Sequence, residues 1–126
     1  MEDGPVLEEQ QLSYIIRGSV YEVFKCLGCG FLENVYENAL LLELKSRGLH
    51  VISQAPVKVN YKDTVVGNYI ADIVVENRIL LELKAQRQLN QVHEAQLLNY
   101  LKATGLRVGL LINFSYPRAT IKRLVV

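Results

Sequence analysis

Two cysteines, two histidines and one methionine are all that occur among 126 residues, and tryptophan is absent. That scarcity narrows the chemistry. An iron-sulfur cluster held by four cysteines cannot be built within one chain, and a four-ligand structural zinc site would need Cys26, Cys29, His50 and His93 together. Cys26 and Cys29 form a CxxC, but they lie beside Gly28 and Gly30 at a predicted helix end rather than after a strand, where a thioredoxin-like motif sits. They read as incidental free thiols. No apolar run approaches the roughly 18 residues needed to span a bilayer, and Glu2, Asp3, Glu8 and Glu9 break the basic-then-apolar order of a signal peptide. The expectation is a soluble cytoplasmic protein with no membrane partner. Repeats, low-complexity tracts and flexible linkers are also missing. Half of the residues are hydrophobic, enough for one domain over residues 1–126 whose core needs no disulfide or metal staple.

The formal charge of +1 says nothing by itself about nucleic acid, but its distribution is uneven. All thirteen acidic residues fall within residues 1–94, beside nine basic ones. Residues 95–126 carry Lys102, Arg107, Arg118, Lys122 and Arg123 and no acid. This last quarter is a candidate phosphate-contacting surface, with a solvated basic rim as the equal alternative.

Hydrophobic spacing sets out the elements. Leu12, Ile15, Ile16, Val20, Val23, Phe24 and Leu27 recur at three- and four-residue intervals, predicting a helix from Val6 to Leu27 that Gly28 stops. Leu32, Val35, Tyr36, Ala39, Leu40 and Leu44 predict a second helix ending near Gly48, with Glu33 and Glu37 one turn apart beside its apolar stripe. Three strands follow, Gln54 to Tyr61, Val65 to Val75 and Ile79 to Lys84, turned at Lys62-Asp63 and Glu76-Asn77-Arg78. Asn90 to Thr104 returns to helical period and Gly105 closes it. Val108 to Phe114 and Thr120 to Val126 complete the order α-α-β-β-β-α-β-β, an α/β sandwich of a mixed sheet with helices against it. The nearly all-apolar Val108 to Phe114 is expected parallel to its neighbour, inside the sheet.

The chemistry concentrates in the second hairpin. A three-residue loop makes Val75 face Ile79, which carries Asp72 directly opposite Glu82 on one face, and Lys84 shares that face. A slip of one residue would separate the carboxylates. Charges in strands ordinarily mark a solvated face. Here Ile73-Val74-Val75 and Ile79-Leu80-Leu81 flank them, so the hairpin reads as buried, and buried charges need partners or a metal.

Taken with Gly30-Phe31-Leu32-Glu33-Asn34-Val35-Tyr36 and the helix segment His93-Glu94-Ala95-Gln96-Leu97-Leu98-Asn99-Tyr100, these residues give the chain a family likeness. From Leu12 onward it resembles the GxxExxY proteins, a branch of the PD-(D/E)xK nuclease superfamily. Asp72 and Glu82-Leu83-Lys84 match the catalytic motif, and Gln96 with Tyr100 is similar to the QxxxY element of RecB-like nucleases. Two positions depart from the pattern. Ile70 stands where relatives often carry a phosphate-contacting arginine, and Cys29 where they often carry proline.

The resemblance implies a restriction-endonuclease-like fold over residues 1–126 and hydrolysis of phosphodiester bonds in nucleic acid, with DNA the expected substrate. Magnesium or manganese is the implied cofactor, held by Asp72, Glu82, the backbone carbonyl of Leu83 and Glu33. Such ions take few carboxylates and keep waters, one of which they acidify. Lys84 would orient the nucleophile or stabilise the transition state, and Gln96 would anchor Lys84 or a phosphate. Tyr100, Arg118, Lys122 and Arg123 are the expected substrate contacts. Tyr36 reads as a packing residue whose hydroxyl orients a neighbour, and His93 as a helix-start residue. A homodimer cutting branched DNA is one version and a short RecB-like exonuclease another. From a different class, a non-catalytic binding or assembly module would retain the fold without the activity.

Overall fold

A computed structural model describes residues 7–126. Its elements are α1 (Glu9–Leu27), α2 (Glu33–Ser46), β1 (Val51–Tyr61), β2 (Thr64–Val75), β3 (Ile79–Lys84), α3 (Gln91–Thr104), β4 (Val108–Phe114) and β5 (Ala119–Val125). The predicted order is thus the observed one. The expected helix start at Val6 lies outside the described residues, and α1 begins at Glu9 because the chain is capped there. The Glu8 N–H donates to Gln11 Oε1 at 2.8 Å, satisfying a donor that the first helical turn leaves over. Strand β1 begins three residues before the expected Gln54, pairing Val51 with Val75. A clamp beyond its start holds that end, in which the His50 N–H donates to Glu76 Oε2 and the Glu76 N–H donates to the His50 carbonyl.

The five strands lie in the order β1-β2-β3-β4-β5. Only β3 and β4 are parallel, joined through α3, and the other pairs are antiparallel. Helices α1 and α2 cover one face, where Leu12, Ile16, Val20, Leu40 and Leu44 pack on Ile73, Ile79, Leu81, Leu110 and Ile112. Helix α3 covers the other, with Leu97, Tyr100 and Leu101 on Val57, Ala71, Val74, Leu80 and Leu111. Every residue of β4 is buried, as a strand sandwiched between helix layers requires. Among the described residues no helix is long and apolar enough to cross a membrane.

Side-chain alternation breaks at one place. Ile73 and Val75 enter the α1/α2 core and Val74 the α3 core, yet Ala71 joins the α3 core instead of following Ile73. Opposite this point Gln54 has φ 54°, and the pairs Ser53 with Ile73 and Ala55 with Ala71 flank it. A left-handed residue inside a strand turns the pleat over, so the outer part of the β1–β2 hairpin presents a new face to α3. Asp72 sits at that turnover.

The seat of α3 is made by Gly109. A Cβ there would stand 2.9 Å from Leu97 Cδ1 and 3.2 Å from Leu101 Cδ1. Gly109→Ala is therefore expected to push α3 off the sheet and cost about 1–3 kcal/mol, the usual range for overpacking. A urea midpoint indistinguishable from that of the parent would contradict this account of the packing.

Candidate active site

The β2–β3 ladder runs through Val75 with Ile79, Val74 with Leu80 and Ile73 with Leu81, then stops. The register is the predicted one, and the next pair in it is Asp72 with Glu82. The strands fork here, and the carboxylates take over the backbone donors that the ladder no longer satisfies. The Asp72 N–H donates to Glu82 Oε1 at 3.0 Å, and the Leu83 N–H donates to Asp72 Oδ2 at 2.8 Å. Each carboxylate is thus fixed through one oxygen. No buried side-chain nitrogen or oxygen among the described residues lacks a partner, so the second oxygens, bonded to no protein group, open to solvent. The Leu83 carbonyl leaves β3 on the same side as its N–H and also faces the fork.

The electrostatics follow from this position. Glu82 is only 6% exposed, and burial first, then the charge of Asp72, pushes its pKa up to about 8. Burial also raises Asp72, against the pull of the Leu83 N–H and the Lys84 ammonium. Lys84 follows Glu82 on the same face, half-buried, and its charge favours ionisation of both acids.

Helix α2 brings a third carboxylate. Glu37 is raised by burial and by the charges of Asp72 and Glu33, and in turn raises Glu82. Its carboxylate accepts from Gln54 Nε2 at 2.7 Å, which ties α2 to the strand position where the pleat turns over. Glu33 lies one turn earlier, in the first turn of α2, and its charge acts on Glu37. Tyr36 sets this end of α2. Its hydroxyl donates to the Gly28 carbonyl at 2.7 Å and accepts from the Phe31 N–H, while its ring stacks on Phe114 at 4.3 Å. The spacing of Gly30, Glu33 and Tyr36 therefore has a structural basis, because the tyrosine locks the α1–α2 turn that starts the helix carrying both glutamates.

Helix α3 contributes from the opposite side. Tyr100 is buried, and its hydroxyl is raised by burial and then by Glu82, Tyr69 and Asp72. Gln96, one turn earlier, lines a cavity of about 590 Å³ together with Tyr69 and Tyr100. His93 belongs to the helix cap, where its Nδ1 accepts from the Asn90 N–H.

The basic C-terminal quarter is divided. Lys122 stands opposite Leu111 in β5 and its ammonium bonds Glu94 of α3 at 2.9 Å, whereas Arg123 pairs with Glu9 of α1. Consecutive residues of a strand face opposite ways, so these cations straddle the sheet edge. Leu111 also pairs with Glu82, which leaves Lys122 two strands, about 10 Å, from it. Arg118 is exposed just before β5.

Asn113 was not singled out by the sequence reading, although one amide in an otherwise apolar strand is a signal. It is 3% exposed and pairs with Lys84 across β3 and β4. Its side chain accepts from the Gln86 N–H and donates to the Gln86 carbonyl, each at 2.9 Å, fixing the chain that leaves Lys84. Asn113→Ala is expected to cost about 1–2 kcal/mol by leaving a partly buried peptide without its two partners. Unchanged denaturant stability would argue against that role.

The donor set suits a small oxygen-preferring cation. Two fixed carboxylates, each with one open oxygen, and a facing carbonyl leave most coordination positions to water, as magnesium and manganese prefer. Among the described residues no three His, Cys, Asp or Glu side chains are grouped so as to hold a metal ion, so neither the expected ligand Glu33 nor Glu37 joins Asp72 and Glu82 as a third carboxylate ligand, and Cys26 and Cys29 are both free and exposed.

The model of the PD-(D/E)XK nuclease superfamily matches residues 10–124. Among solved structures, the protein described as SSO0001 is similar over 74% of this chain, with 20% identity and a TM-score of 0.57. The chain spans 50% of that protein's length, and the likeness concerns the fold. An alkaline exonuclease (LHK-Exo) from Laribacter hongkongensis aligns over 96% of this chain and 72% of its own, at 10% identity and a TM-score of 0.45. No curated protein matches the sequence.

Proposed function

The chain belongs to the PD-(D/E)XK nuclease superfamily, and from that premise we propose that it is a metal-dependent nuclease that cuts phosphodiester bonds in DNA at the Asp72–Glu82 fork. Nucleases of this superfamily generally use divalent metals, and membership of it supports a nucleic-acid substrate. Gly30, Glu33 and Tyr36 support the GxxExxY branch, and the reading includes action in the cytoplasm, alone or as a homodimer.

The observation that carries the proposal is the crossed pair of hydrogen bonds at the fork. A buried Glu82 and a partly buried Asp72 are held side by side, each with an oxygen left open, and two acids so placed are costly to ionise together unless a cation is to be received. Asp72, Glu82 and the Leu83 carbonyl would hold magnesium or manganese, with the negative charge of Glu37 beside them on α2. When bound there the ion supplies positive charge for the phosphate and acidifies water. Lys84 directs an ammonium at the same place, where it orients the attacking water and stabilises charge developing on phosphorus oxygens. Gln96 and Tyr100 hold the substrate strand from the α3 side, and Arg118, Lys122 and Arg123 attract it along the sheet edge.

A non-catalytic binding module remains the second reading. Two observations favour it: Ile70 is exposed where relatives often carry arginine, and Lys122 and Arg123 are both engaged with acids. The test is incubation with labelled single-stranded, duplex and branched DNA and RNA in magnesium or manganese, beside Glu82→Ala. Cleavage that needs both the metal and Glu82 supports the nuclease. Binding without cleavage on every substrate would give the module precedence.

A further inference from the structure

The cavity of about 590 Å³ between the β1–β2 hairpin and α3 is lined by Val59, Asn60, Tyr69, Gln96, Asn99 and Tyr100, with Lys102 also in its wall. Its place is fixed by the turnover at Asp72, which directs Tyr69 and Ala71 toward α3. The Tyr69 and Tyr100 rings meet at 43° with centroids 5.7 Å apart. Tyr100 is almost wholly buried and forms the floor, whereas Tyr69 is 51% exposed and offers an aromatic surface. Gly67 makes room for that ring, since a Cβ there would stand 3.3 Å from Tyr69 Cε2.

Beside the two tyrosines and Lys102, the polar lining is of one kind. Asn60, Gln96 and Asn99 carry carboxamides, each both donor and acceptor, and none of the three side chains makes a hydrogen bond to the described residues. No carboxylate lines the cavity. A phosphate would be met by Lys102 alone, and an aliphatic ligand resting on Val59, Val92, Ala95 and Ala103 would leave the three amides unpaired; amides around an accessible tyrosine match the mixed donor and acceptor edge and the π-face of a base. Tyr100 also lies within the field of Glu82 and Asp72, so the cavity adjoins the fork.

We propose that this cavity receives an unpaired nucleobase of the strand being cut, stacked on Tyr69 and read by Asn60, Gln96 and Asn99, so that the substrate is single-stranded or locally unpaired. The inference rests on the nuclease reading for its strand and scissile bond, but not for its binding site. A base within a duplex has its edge paired and its faces stacked, and cannot enter.

The test is equilibrium binding by the 126-residue protein in chelator, so that nothing is cleaved, using single-stranded oligonucleotides that carry 2-aminopurine and the matching duplex. The expected result is quenching of 2-aminopurine on the single strand and weaker binding of the duplex. Tyr69→Ala should lose roughly tenfold in single-strand affinity, the scale of one base stacked on one aromatic ring, and Tyr69→Phe should retain it. Asn99→Ala, on an exposed helix position, should weaken binding with the fold intact. Equal affinity for duplex, or full quenching in Tyr69→Ala, would overturn the proposal. Quenching without cleavage in any metal would sink the nuclease and leave the base site standing, whereas cleavage without quenching would do the reverse.

Discussion

Lys84→Ala is expected to lower metal-dependent cleavage by about 10²–10³-fold while leaving the fold and most nucleic-acid binding intact, because a contact made to charge developing in the transition state is worth that much in a site of low dielectric. Binding is different. One ammonium among several phosphate contacts contributes modestly, and the salt dependence should fall by only about one counterion. Neutralising Arg118, Lys122 and Arg123 together should do the opposite, weakening association on every sequence and flattening its salt dependence, with turnover at saturating substrate little changed. Single-turnover rates and a salt series on the same preparations separate the two effects. Equal cleavage by Lys84→Ala and the parent would remove Lys84 from the reaction and point to another site.

The second large effect is on stability. Glu82 has its folded pKa raised to about 8 from an ordinary value of 4.5, and Asp72 is shifted in the same direction. A raised acid keeps its proton in the folded state after the unfolded chain has lost it. Stability is therefore undiminished below about pH 4.5 and declines as pH rises toward 8, by an amount on the order of 4 kcal/mol for a shift of this size. Glu9 has the reverse sign. Its hydrogen bond with Arg123 holds the carboxyl low, so its contribution is present above the ordinary range and is lost on acidification. Together they give the metal-free protein its greatest stability in mildly acidic solution. Urea midpoints at pH 5 and 8.5 in chelator check this, and Glu82→Gln should flatten the decline. Added manganese should abolish it, since a bound cation favours both carboxylates ionised. A metal-free midpoint that rises from pH 5 to 8.5 would contradict the sign.

The elements were legible because each has a strong local signal: helical spacing closed by Gly28 and Gly105, apolar strands, and a three-residue turn that set Asp72 opposite Glu82. The buried, parallel β4 was readable from its lack of any alternation. Less visible was the pleat turnover at Gln54 and Asp72. It depends on a left-handed backbone at a residue whose type does not demand one, and it decides that Tyr69 faces α3. The role of Glu37 was hidden for a related reason. Spacing shows that Glu33 and Glu37 share a helix face, but not which turn of α2 comes level with the fork. The Tyr36 clamp on Gly28, with the stacking of its ring on the sequence-distant Phe114, sets that height. In the C-terminal quarter the charge count was right and its arrangement was not readable, because strand alternation sends Lys122 to Glu94 and Arg123 to Glu9 on opposite faces.

Calorimetric titration of the metal-free protein with manganese at pH 7, in buffers of different ionisation enthalpy, tests most directly whether the fork is built to receive a cation. The account predicts one site, release of nearly one proton as the raised Glu82 ionises on binding, and loss of the site in Glu82→Gln. Absence of binding, or binding of equal strength in Glu82→Gln, would contradict it.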